Sequence, residues 1–147
     1  MPISSQIDRV RNLTIYTARD DITAEELRLS VKSFWESPTL TLNLIWDVRE
    51  ATFNQMKYKE MDDILFHLET YADRFREREI GKTAIVVNSE EQFSIMRQLS
   101  NHASIQCLPI IPEVFKTMGE AMAWIDQTEY DFITALKDNR DENSPSD

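Results

Sequence analysis

The side chains that could do chemistry in this sequence are few and scattered. Asp62, Asp63 and Glu69 share one charged stretch, where a general acid and base would need two carboxylates facing one substrate. Neighbours at i and i+1 point in different directions on a helix, and no nucleophile or metal cluster accompanies them, so solvated helix surface is the better reading. His67 lies beside an apolar stripe of the same stretch and reads as a partly buried structural histidine. His102 falls near a predicted helix end, where a cationic imidazole complements the helix dipole. The single cysteine, Cys107, sits in an apolar run and reads as a packed, unreactive thiol. Asp47 and Arg49 stand at the predicted C-terminal end of a strand, the edge where open α/β sheets bind ligands, although a local ion pair accounts for them more simply.

Composition removes whole classes of function. Only Gly81 and Gly119 occur in 147 residues, so neither a P-loop nor a dinucleotide fingerprint can be written. One cysteine allows no internal disulfide and no Cys-based zinc site, and two distant histidines make no HExxH pair. No cofactor is expected. A net charge of -10 repels nucleic acid and anionic membrane surfaces. The N-terminal segment lacks the pattern of a signal peptide, and no apolar run is long enough to span a bilayer, which together lead us to expect a cytoplasmic protein. With 41% apolar residues, one core and one domain are expected over residues 1–137, followed by a disordered acidic tail over 138–147.

The elements that must position these residues follow from periodicity and capping. Ile7 to Val10 and Leu13 to Thr17 suggest an opening hairpin turning at Arg11-Asn12. Thr23-Ala-Glu-Glu26 is a capping box that opens a helix over about 24–36, stopped by Pro38. Thr41 to Val48 alternates, with Leu42, Leu44, Trp46 and Val48 on one side; the largely polar other side predicts a sheet covered mainly on one face. Apolar residues from Tyr58 to Phe75 recur at helical spacing and give a helix of about twenty residues ending near Gly81. Ala84 to Val87 reads as a buried parallel strand. Ser89-Glu-Glu-Gln92 caps a helix that buries Phe93, Met96, Leu99 and Ala103, and Ile105 to Ile111 is the expected last strand. Thr117-Met-Gly-Glu120 caps a final helix reaching to about Lys137. The order β-β-α-β-α-β-α-β-α demands a mostly parallel sheet in which the first strand alone is antiparallel.

This order resembles the SpoIIAA-like branch of the STAS superfamily. The pieces that carry the likeness are Leu44-Ile-Trp-Asp47-Val-Arg49, Lys82-Thr-Ala-Ile-Val-Val87, Phe93-Ser-Ile-Met96-Arg97 and the run from Val114-Phe115 to Trp124-Ile125, spread over residues 5–127. The resemblance implies an α/β, STAS-like single domain with a four- to five-stranded mixed, mostly parallel sheet and helices mainly on one face. It also implies a binding or regulatory role rather than catalysis. The anti-sigma-factor antagonists of that superfamily carry a phosphorylatable serine after an aspartate. On this chain Gln55 falls at the aspartate and Met56 at the serine, so the kinase-controlled switch does not carry over.

Two non-enzymatic functions are consistent with these features. In the first, the chain binds a lipophilic small molecule or a protein partner. Phe53, Met56, Tyr58, Met96 and Phe115 would line an apolar cleft at the strands' C-terminal edge, and Arg97 or Arg49 would meet a carboxylate head group. In the second, it is a dimerising interaction subunit, a homodimer formed through the open face of its sheet.

Overall fold

Each of the three capping boxes opens a helix. The computed structural model describes residues 2–38, 40–68, 81–105 and 110–127. The Thr23 hydroxyl accepts from the Glu26 backbone N–H at 3.2 Å and donates to the Glu26 carboxylate at 2.9 Å, starting α1 (Ala24–Trp35). Ser89 accepts from the Gln92 N–H at 3.1 Å at the head of α3 (Glu90–Ile105). Thr117 does the same for Glu120 at 3.1 Å before α4 (Met118–Asp126). Helix α2 (Tyr58–Leu68) lies between α1 and α3 in the chain; the rest of the long helix expected there, residues 69–80, lies outside the described residues.

The strands are β1 (Ile3–Asp8), β2 (Leu13–Asp21), β3 (Asn43–Thr52), β4 (Gly81–Val86) and β5 (Ile110–Phe115), and they lie side by side in chain order. β1 runs antiparallel to β2, and every later neighbour is parallel. A sheet that grows in one direction through right-handed crossovers puts all its crossover helices on one side. The core agrees. Val31, Phe34 and Trp35 of α1, Ile64 of α2 and Met96 of α3 pack with Tyr16, Leu44 and Val48 on one face. On that face Tyr16 stacks on Trp46, ring centroids 4.6 Å apart.

Helix α4 follows the last strand of the described residues and folds back over the opposite face. Its Ala121 and Ile125 bury Leu13, Ile45, Ala84 and Val86. The helices thus lie mainly on one face, as expected, but the other face of β3 is neither open nor solvated, because Asn43, Ile45 and Asp47 are all buried. The polar members are tolerated there because they are bonded: Asn43 Oδ1 accepts from the Lys82 N–H at 3.1 Å. The helix also stops at Asp126 instead of continuing towards Lys137, with Gln127 extended. Lys82 Nζ donates to the carbonyls of Trp124 and Gln127, both at 2.7 Å, taking acceptors left over at the helix end.

Strand boundaries also differ from expectation: β2 runs on to Asp21 instead of Thr17, β3 spans Asn43–Thr52 instead of Thr41 to Val48, and β4 spans Gly81–Val86 instead of Ala84 to Val87. β1 ends at Asp8, so Val10 is not in a strand; it stands 98% exposed in a four-residue turn closed by Asn12 at φ 54°. The last strand is Ile110–Phe115, whereas Ile105 is the final residue of α3. Pro112 lies inside the strand, which among the described residues stands at the sheet's edge, where a missing N–H is tolerated. Cys107 and the segment 138–147 lie outside the described residues.

Candidate functional site

The sheet opens where β3 outruns β4. Their ladder ends at Asp47↔Val86, while β3 continues to Thr52. On its other side β3 changes register against β2: Thr17 pairs with Asp47, but Arg19 pairs with Glu50. One extra residue is thereby inserted in β3, a bulge. Val48 and Ala51, three positions apart, would face opposite sides of a regular strand. The bulge turns both into the same apolar cluster.

Side chains take the place of the missing ladder. Gln92 Nε2 donates to the carbonyls of Val48 at 3.1 Å and Ala51 at 2.9 Å, and Asn88 Nδ2 donates to the Arg49 carbonyl. Gln92 Oε1 in turn accepts from the Asn88 N–H at 3.0 Å, so one glutamine caps α3 and holds the bulge. Beyond the bulge, Asp21 Oδ1 accepts from the Thr52 hydroxyl at 2.9 Å and the Asn54 N–H at 3.1 Å. A turn closed by the Met56 N–H on the Phe53 carbonyl, 3.0 Å, then folds both side chains inward.

The result is an apolar cluster of Ala18, Ile22, Val48, Ala51, Val87, Met96 and Val114, against which half-buried Phe53, Met56 and Phe93 pack. Two cations stand by the rim. Lys116 Nζ lies 5.2 Å and Arg97 Cζ 5.9 Å from the centroid of the Phe93 ring, within cation–π range. Both are exposed and already have acidic neighbours: Lys116 pairs with Glu90, and Arg97 lies 3.6 Å from Glu113.

Of the residues expected to line the cleft, the structure thus brings Phe53, Met56 and Met96 together. Phe115 goes elsewhere: it faces the α4 side, its ring 5.4 Å from that of Trp124. Arg97 is at the rim, one ring away from the cluster. Arg49 is engaged by Asp47 in a bidentate pair, with Nε–Oδ1 and Nη2–Oδ2 both 2.9 Å. Burial pushes the Asp47 carboxyl up, but the side-chain and backbone hydrogen bonds of Arg49, with its charge, outweigh this and hold it below its ordinary value. The side chain of Tyr58 lies outside what is described, while α2 begins at that residue. His67 is half-buried on α2, as its place beside the apolar stripe suggests.

Sequence reasoning missed Phe93, Asn88, Gln92 and Lys116 as parts of this edge. Phe93 was legible as a buried helix residue and Gln92 as a cap, and nothing in the spacing showed that β4 ends early enough for α3 to reach the bulge. Among the described residues no group of three or more His, Cys, Asp or Glu is placed to hold a metal ion, and no helix is long and apolar enough to cross a membrane.

The topology, with one antiparallel strand, three parallel crossovers and a final helix on the far face, decides the architecture. The fold is SpoIIAA-like. The chain is similar to the crystal structure of an uncharacterised protein of the DUF3478 family with a SpoIIAA-like fold from Shewanella loihica PV-4. The two share 16% sequence identity over 84% of this chain and 91% of that one, with a TM-score of 0.50. No protein-family model and no curated protein matches the sequence. At that identity the SpoIIAA-like likeness speaks for the fold alone.

Proposed function

We propose that this SpoIIAA-like chain is a non-enzymatic binding module, taking an apolar molecule with an acidic head group at the C-terminal edge of its sheet. The observation that supports this reading is the half-buried rim of Phe53, Met56 and Phe93 over one apolar cluster, with Lys116 and Arg97 beside the Phe93 ring. Covering such a rim removes apolar surface from water at about 25 cal/mol per Å². The cations are available because their present partners are exposed, and ion pairs of that kind contribute roughly 0–1 kcal/mol. A ligand carboxylate held over the rim offers a drier and stronger contact. The groups met at this edge are amides, carbonyls and paired ions, which suit holding a ligand better than transforming one.

The test is titration of the full chain with a fluorescent fatty acid, together with native mass spectrometry of the purified protein. Saturable binding is expected for the wild type, and loss of binding for Met56→Asp with an unchanged far-UV circular dichroism spectrum. No binding by the wild type, or undiminished binding by the folded variant, would overturn the proposal.

A further inference from the structure

The two edges of the sheet are built differently. β5 carries Pro112 and the charged Glu113, features that discourage another strand from adding to it. β1 reads Ile-Ser-Ser-Gln-Ile-Asp, with no proline, no lysine and no charge before Asp8, and among the described residues its one strand neighbour is β2. We infer that β1 pairs antiparallel with the β1 of a second copy of this chain, with Ser5 opposite the partner's Ser5.

The register follows from the ladder already present. The Arg19 N–H donates to the Pro2 carbonyl at 2.8 Å, which makes Pro2↔Arg19 a directly bonded pair in the antiparallel ladder. Bonded and non-bonded pairs alternate, so Ser4 and Gln6 also turn their backbone groups towards β2. Ile3, Ser5 and Ile7 turn theirs to the free edge. Centring a two-fold axis on Ser5 sets Ile3 opposite the partner's Ile7, Ser5 opposite the partner's Ser5, and Ile7 opposite the partner's Ile3. All three outward-facing residues are then bonded, whereas a shift by one step to either side pairs Ser5 with only one of the isoleucines and leaves the other beyond the matched region.

The same register accounts for a misplaced side chain. Ile3 packs against the helix-side core, and alternation puts Ile7 on that face too, where it is 46% exposed. In the dimer Ile7 lies beside the partner's Ile3, next to the edge of the helix layer. Because the axis is perpendicular to the sheet, the helix layers of both copies stay on one side. The contact is isologous and closes at two copies.

Sedimentation of the full chain over a range from about 1 to about 500 μM tests this, because a contact this small belongs to the weak end of interfaces. The wild type is expected to shift from 17.2 kDa to twice that mass as concentration rises. Ser5→Pro removes an N–H that β2 does not use, and Ile7→Lys puts a cation on the edge; each should stay monomeric throughout with an unchanged circular dichroism spectrum. Amide hydrogen exchange reads the register: Ile3, Ser5 and Ile7 should gain protection with concentration, while Ser4 and Gln6 are protected at all concentrations. A wild type that stays monomeric, a dimer that survives both variants, or a dimer in which Ile3, Ser5 and Ile7 exchange freely would overturn the inference.

Discussion

The two ends of the parallel strands are finished in opposite ways. At the N-terminal end, polar groups close on one another: Thr14 and Thr41 share a hydrogen bond of 2.7 Å, Thr41 donates to the Asn43 carbonyl, Asn12 accepts from the Leu42 N–H, and Lys82 caps α4. Leu13 beneath them is fully buried. At the C-terminal end the polar side chains of Asn88 and Gln92 are turned onto the backbone of the bulge, and what remains at the surface is a half-buried rim of Phe53, Met56 and Phe93. One end is sealed for stability. The other keeps apolar surface within reach of solvent, which stability alone does not call for.

The contrast is sharpest in paired truncations. Leu13→Ala at the sealed end should cost about 2–5 kcal/mol, the range for a buried leucine whose surroundings cannot collapse. Phe53→Ala at the open end should cost less, roughly 1–2 kcal/mol, because its ring is only partly removed from water. Urea denaturation of both variants measures this, and equal losses would erase the distinction. Next in size are the polar fasteners. Gln92→Ala should cost about 1–3 kcal/mol by leaving the Val48 and Ala51 carbonyls without their donor, and Gln92→Glu should not rescue it, since a carboxylate cannot donate there. Recovery by the glutamate variant would mean that Gln92 acts through capping α3 alone.

The smallest effect is that of pH on the Asp47–Arg49 pair. The Asp47 carboxyl is held below its ordinary value of 3.8, so its contribution is complete above that pH and lost as pH falls through the lower folded value. Arg49 is 40% exposed, which limits the contribution to under about 1 kcal/mol. Asp47→Asn should lower stability at neutral pH by under about 1 kcal/mol and flatten the acid limb below about pH 4, where the wild type loses the same contribution. An acid limb identical to that of the wild type would show the pair to be without weight in the open end.

What was legible in the sequence was local. Thr23, Ser89 and Thr117 name their helices because a cap and its partner lie three residues apart, and the strand-helix alternation names the sheet. The bulge in β3 was not legible, since it depends on where β2 and β4 stop relative to β3. Phe115 was misread for a related reason: its side of the sheet depends on the phase of β5, and the last strand was expected at Ile105 to Ile111, before Phe115. The apparent polar face of β3 misled because Asn43 finds its partner in Lys82, 39 positions away, which only the folded sheet brings near; the Asp47–Arg49 pair, two positions apart, was legible as a local ion pair. Met56 and Met96 were legible as neighbours because parallel topology brings the ends of successive crossovers to one edge.

Because the strands lie in chain order, β1 to β5 can be laid down one after another, each against the strand just formed, by a tight hairpin and then by crossover connections to the next neighbour. Helix α4 breaks that sequence: it covers Leu13 and Ile45 from the first half of the chain, and Arg11 reaches Asp126 across 115 positions. Its docking therefore depends on long-range contacts that pairing of neighbouring strands does not need. Until it happens, a growing chain carries an uncovered sheet surface that a holding chaperone would recognise.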